Sequence, residues 1–304
     1  MKTYNISCGR HTLSFGARTC IMGILNVTPD SFSDGGSFFT TDAAVAHAEK
    51  LVEDGADIID VGGESTRPFS DPVSADEEAL RVVPVIEKLS KHIPAPISID
   101  TTKAAVARQA VEAGASIIND IGALRIDNNM AAVAVKYGVP VVLMHMKGNP
   151  KTMQVAPVYD DLINEVKKSL KNAINMAEKN GITRSKIIID PGIGFGKTVE
   201  HNLLLINHLH ELTSLNAPIL IGPSRKSFIR KILFHKPATD MKADMPAIET
   251  GTQAAVAAAV LHGAHIVRVH DVAGTYKTIK IIDAIKNAET GSKFRVQSSR
   301  TEKK

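Results

Sequence analysis

Along this chain, short runs of apolar and β-branched residues alternate with stretches whose apolar positions recur at helical spacing. The runs are CIMGILNV (20–27), IIDVGG (58–63), PISIDT (96–101), SIINDI (116–121), VPVVLMHM (139–146), IIIDPG (187–192), PILIGPS (218–224) and HIVRVHD (265–271). Runs so short and so rich in Val, Ile and Leu predict strands buried on both faces, as in a parallel sheet covered by helices. The intervening segments, such as DAAVAHAEKLVEDGA and KAAVARQAVEAGA, read as helices closed by glycine, an ending that recurs at Gly55, Gly114, Gly138, Gly181 and Gly263. Asp42 stands where it would cap the first of them. The period is irregular, which argues against a solenoid of strict repeats. Eight strand–helix units predict an α/β fold, a single (β/α)8 barrel over residues 1–290. An open dinucleotide-binding sheet fits less well, because DGGSFF after the first run is not GxGxxG. The opening YNISCGRHTLSFGAR alternates about Gly9 and predicts an N-terminal β-hairpin plugging the barrel floor.

Each run ends on a residue that a core would reject: Asn26, Asp60, Asp100, Asn119, His145, Asp190, Arg225 with Lys226, and Arg268 with His270. One such residue is ordinarily a capping or hydrogen-bonding group. Eight of them at strand ends that a barrel gathers on one rim predict a pocket. Carboxylates and amides suit a polar heterocycle with several donors and acceptors, whereas Lys226, Arg268 and His270 suit phosphate. Arg67 and Arg225 lie near enough in sequence to join them. A Mg²⁺ ion travelling with a diphosphate needs few protein oxygens, and Asn26 offers one. PGIGFGK (191–197) lacks the spacing of a phosphate loop; its glycines would let backbone approach a flat ligand, with Phe195 as a lid. There is no HExxH or CxxC, so a fixed transition-metal centre is not expected, and no nucleophile-elbow context suggests acyl transfer.

Composition changes the picture little. Hydrophobic residues make up 44% and aromatic ones 4%, with no Trp, so an aliphatic core is expected and disorder is not. The net charge of +4 is a property of one end: GSKFRVQSSRTEKK (291–304) carries five Lys or Arg and one Glu. Such a tail reads as a frayed terminus, and no nucleic-acid partner is expected. Two cysteines make no disulfide framework, and no apolar run approaches the roughly 20 residues of a membrane span, so a cytoplasmic protein without a membrane partner is expected.

Taken in order, NVTPDSFSDGG, DVGGESTRP, SIDTTK, IINDI, LMHMKGNPKTMQ, DPGIGFGK, GPSRKSF and RVHDV resemble the dihydropteroate synthases, pterin-binding TIM barrels of folate synthesis. The resemblance runs from about Cys20 to about Asn287. It implies condensation of 6-hydroxymethyl-7,8-dihydropterin diphosphate with 4-aminobenzoate, with Mg²⁺ present, and a homodimer. It implies that Asp100, Asn119, Met144, Asp190 and Lys226 hold the pterin. Asn26, Arg268 and His270 would meet the diphosphate and its metal, and Asp60 would hold loop geometry. Thr66, Arg67, Pro68, Phe195, Lys226 and Ser227 fall to the aminobenzoate, with Ser224 and Arg225 shaping the seventh loop. Asp190, Lys226, Arg268 and His270 are the residues on which catalysis would rest. Two departures are visible, Thr102 where Ser is frequent and Lys147 where Gln is. Alternatives are a pterin-dependent methyltransferase barrel, which has no need of the NVTPDSFSDGG or RVHD segments, and a non-catalytic pterin-binding paralogue.

Overall fold

Side chains two positions apart on a strand face the same way, and that step divides every barrel strand here into an outer and an inner set. The computed structural model describes residues 2–28, 37–65, 72–148, 153, 157–234 and 245–288. A hairpin comes first, β1 (Tyr4–Cys8) and β2 (His11–Phe15). The barrel strands follow: β3 (Cys20–Asn26), β4 (Ile58–Gly62), β5 (Ile97–Asp100), β6 (Ile117–Asp120), β7 (Val141–Met144), β8 (Ile187–Asp190), β9 (Leu220–Ile221) and β10 (Ile266–Val269). Around them lie α1 (Ser37–Glu53), α2 (Ala75–His92), α3 (Ala104–Ala113), α4 (Met130–Tyr137), α5 (Leu162–Lys179), α6 (Val199–Asn207), α7 (Ser227–Phe234), α8 (Pro246–Leu261) and α9 (Val272–Ala288). All eight strands pair in parallel in the order β8-β7-β6-β5-β4-β3-β10-β9. The Ile189–Ile219 bridge joins the two edges, with the Ile189 N–H donating to the Pro218 carbonyl at 3.0 Å. The expected strands are all present.

The outward set (Ile59, Val61, Ile99, Ile118, Val141, Leu143 and Ile189 among them) packs against helix faces in one large core. The inward set begins apolar, with Met22, Ile58, Ile117, Val142, Ile188, Leu220 and Ile266. Ile6, Cys8, Leu13 and Phe15 of the hairpin pack beneath this layer, so the hairpin closes the floor as expected. Two residues further along, the inward positions become Asp60, Asn119, Asp190 and Arg268, all buried or nearly so. Alternation and the polar rim therefore share one cause: β4, β6, β8 and β10 carry an apolar residue inward low in the barrel and a polar one inward two positions on.

The helix-closing glycines behave as the sequence indicates; Gly138, for example, lies in the left-handed region at φ 62° and ends α4. Asp42 does not cap a helix. The first helix starts earlier, at Ser37, so Asp42 lies within α1 and its carboxylate meets Lys88 Nζ of α2 at 2.6 Å. Thr66, Arg67, Pro68 and the tail at 291–304 lie outside the described residues.

Candidate active site

Arg268 is the centre of the rim. Its Nε donates to Asp60 Oδ2 at 2.6 Å and its Nη2 to Asp100 Oδ2 at 2.7 Å, while Asn119 Nδ2 donates to Asp60 Oδ2 at 3.0 Å. One guanidinium from β10 thus ties β4 and β5, and β6 joins through the amide. Burial works against the Arg268 charge, but Asp60 and Asp100 outweigh it and hold the guanidinium above its ordinary value. Burial lifts the Asp100 carboxyl upward, Arg268 opposes it, and the like charge of Asp60 adds to the rise. The second Asp60 oxygen, Oδ1, is buried without a partner among the described residues.

Asn26 pairs in register with Gly62, and Gly62 with Asp100. A Cβ built on Gly62 would lie 3.9 Å from Asp100 Oδ2 and 4.0 Å from Asn26 Oδ1, which puts the amide and the carboxylate on one patch of the mouth. Met144 pairs with Asp190 across β7 and β8. Met144 also belongs to a small apolar cluster with Ile121, Met146, Met153 and Phe195, separate from the main core. Through Met144 and Phe195 this cluster sets apolar surface beside Asp190 and Lys226.

Lys226 lies 4.2 Å from the centre of the Phe195 ring. Burial, then Arg268, push its ammonium down to about 8, against the pull of Asp190 and Asp100. Burial pushes Asp190 up to about 6, opposed by the Gly192 N–H at 2.6 Å and by Lys226, Lys197 and Arg268. The opposed shifts of two neighbouring groups are the sort of tuning that marks sites of chemistry. His270 Nδ1 is 2.9 Å from Ser224 Oγ, which also accepts the His270 N–H at 3.2 Å. Ser227 opens α7, half-buried, directly after Lys226.

Two rim residues expected from sequence point elsewhere. His145 is buried, with Nδ1 3.0 Å from Lys197 Nζ; burial and then Lys197 push its imidazole down to about 3. It is a neutral acceptor, with no charge for phosphate. Arg225 has φ 56°, donates its N–H to Thr252 Oγ1 at 3.2 Å, and pairs through Nε with Glu249 on α8. That turn sends Arg225 to Glu249 on α8 and Lys226 to the Phe195 ring. The glycines of PGIGFGK serve neighbouring protein as well as any ligand. A Cβ on Gly192 (φ 71°) would meet the His145 carbonyl oxygen at 2.0 Å, and one on Gly194 the Lys226 Cδ at 2.8 Å. Sequence reasoning missed Lys197, and nothing in its local pattern separated it from a surface lysine after a turn.

A barrel whose inner rim carries acids, amides and a tuned lysine beside apolar surface is built for a polar heterocycle. The family described as Pterin binding enzyme matches residues 22–270, and the chain belongs to it. The chain is 46% identical over 280 residues to the dihydropteroate synthase of Synechocystis sp., covering 91% of this chain and 93% of that one. Among solved structures it superposes on dihydropteroate synthase of Xanthomonas albilineans with 4-aminobenzoic acid at a TM-score of 0.85 and 42% identity, over 94% of this chain and 99% of that one. The Yersinia pestis dihydropteroate synthase in a sulfonamide drug complex gives 0.84 and 42%, over 93% and 99%. Within the pterin-binding enzymes, this sequence falls among the dihydropteroate synthases.

Proposed function

We propose that this chain joins 6-hydroxymethyl-7,8-dihydropterin diphosphate to 4-aminobenzoate, releasing diphosphate and 7,8-dihydropteroate, with its rim residues in the following roles. The observation that carries the reading is the cluster at the strand ends in which Arg268 bridges Asp60 and Asp100 while Asp190 and Lys226 bias each other's charge. Asp100, Asn119, Asp190 and Lys226 hold the edges of the pterin ring, and Met144 packs on its face. As the methylene C–O bond breaks, its electron pair leaves on the diphosphate oxygen and positive charge spreads into the ring. A buried Asp190 carboxylate stabilises that charge without waiting for water to reorganise. Arg268 spends two N–H directions on Asp60 and Asp100, and a guanidinium has more to offer an anionic oxygen. His270, oriented by Ser224, faces the same anion. The aminobenzoate nitrogen then forms the C–N bond and loses a proton. Phe195, Lys226 and Ser227 are the described residues assigned to its side of the site, and the same role is assigned to Thr66, Arg67 and Pro68 on the sequence resemblance alone.

The donor set at the mouth fits Mg²⁺ arriving with its phosphate oxygens: Asn26 Oδ1 is a neutral hard oxygen on the same patch as Asp100 Oδ2. When bound, the ion supplies positive charge to the departing diphosphate. Among the described residues no cluster of His, Cys, Asp or Glu would cage a metal by itself.

The direct test supplies both substrates with Mg²⁺ and measures dihydropteroate. A sulfonamide is expected to compete with 4-aminobenzoate; non-competitive inhibition would move the second substrate to another place. The pH profile is a second test. Asp190 acts as a carboxylate and Lys226 as an ammonium, so kcat/KM for the pterin substrate should rise through about pH 6 and fall through about pH 8. A profile flat from pH 5.5 to 9 would separate these two groups from catalysis.

We also place the protein in the cytoplasm as a homodimer. Cys8 and Cys20 are free, buried thiols, in keeping with a reducing compartment. Among the described residues no helix is long and apolar enough to cross a membrane. Leu203 and Leu204 on α6 and Ile232 and Leu233 on α7 are exposed on helices that pack together, an apolar face suited to a second copy. Sedimentation as a 32.6 kDa monomer at micromolar concentration would refute the dimer.

A further inference from the structure

Lys197 is buried at 3% exposure, yet nothing in the reaction above uses it. Its ammonium has three N–H groups and three acceptors: the Gly192 carbonyl at 2.9 Å, the Phe195 carbonyl at 2.9 Å and His145 Nδ1 at 3.0 Å. The count closes, which is the condition for burying a cation. The first two acceptors are the two ends of the turn that presents the Phe195 ring, and the Phe195 N–H closes the same turn on the Gly192 carbonyl at 3.1 Å. The rest of the loop is tied as well. The Gly194 N–H donates to Asn202 Oδ1 at 2.7 Å, and Tyr159 Oη donates to the Gly196 carbonyl at 2.8 Å.

The loop is therefore a fixed platform with one buried cation at its hub, and the platform supports the groups proposed to meet 4-aminobenzoate. Phe195 lies under the Lys226 ammonium, and Gly194 lies against the Lys226 stem. We infer that Lys197 is a positioning residue for the aminobenzoate side of the site, acting through the turn that carries Phe195. Burial, opposed by Asp190 and joined by Lys226, pushes its amine down to about 7, and its three hydrogen bonds hold it in place at that cost. The inference rests on the reaction proposed above.

The test is a double-mutant cycle. Lys197→Met is expected to raise KM for 4-aminobenzoate about tenfold while KM for the pterin diphosphate changes less than about threefold. In a Phe195→Ala background the same substitution should add less than about twofold, because its route is already cut. Lys197→Gln, which keeps an amide donor for the carbonyls, should show the same split in milder form. Equal rises in both KM values, or full additivity with Phe195→Ala, would overturn the inference. So would failure of both Lys197 variants to fold, which would make the residue a core element only. If the wild-type chain makes no dihydropteroate, the reaction itself is wrong; if it does and the split is missing, only the role of Lys197 is.

Discussion

Arg268→Ala is expected to lose both activity and stability. The activity loss follows from removing a cation at the leaving anion, which commonly lowers the rate by about 100- to 1,000-fold. The stability loss follows from Asp60 and Asp100, which would be left as buried carboxylates without their shared partner. Breaking a buried pair from one side costs about 3–5 kcal/mol, whereas surface ion pairs contribute about 0–1 kcal/mol. The loss also has a pH signature. Asp100 is already displaced upward by burial and rises further without the guanidinium. A folded-state value above the unfolded one means that proton uptake favours the folded chain at low pH, and that this help fades as pH climbs. The gap between wild type and variant should thus stay constant near pH 5–6 and widen as pH rises through about 7, the wild-type Asp100 value, in urea titrations. Arg268→Lys restores the charge but not the two-direction fork, and should recover only part of either loss. A variant as stable as wild type at pH 8 would mean that the Asp60–Arg268–Asp100 cluster is not held as described.

Asp190→Ala and Lys226→Ala should each reduce dihydropteroate formation by about 100- to 1,000-fold without unfolding the barrel. The two side chains lie close enough to bias each other's protonation, Lys226 lowering Asp190 and Asp190 raising Lys226. Their effects should therefore fall short of additive when combined. Folding is spared for different reasons in each case. Removing Lys226 relieves a buried charge. Removing Asp190 leaves the Gly192 N–H without its acceptor, and Lys226 and Lys197, already lowered by burial, can shed a proton when its counter-charge is lost. Turnover measured alongside far-ultraviolet circular dichroism separates lost chemistry from lost structure. Near-full activity in either variant would take that residue out of the reaction.

The barrel was legible because its strands obey a local rule: apolar residues on both faces, then a polar inward position at the carboxyl end. That rule places Asn26, Asp60, Asp100, Asn119, Asp190 and Arg268 on the rim, but it cannot say which of them bond. Arg268 and Asp60 are 208 residues apart, and no periodicity reports a pair at that distance. His145 shows where the rule fails. It ends a strand like the others, yet its ring is turned to a lysine in the next loop, because a buried ammonium needed a third acceptor. Arg225 fails for a backbone reason, since a positive φ reverses the direction that simple alternation would give it. Asp42 was misread because a capping residue and a helical residue paired with Lys88 look alike in one dimension.

The N-terminal hairpin has a consequence for binding. With Ile6, Leu13 and Phe15 stoppering the base, the described residues close the barrel from below. Whatever binds beside Asp60 and Asn119 therefore sits above an aliphatic floor, where Ile58, Ile117, Val142 and Ile188 offer it no polar partner from below.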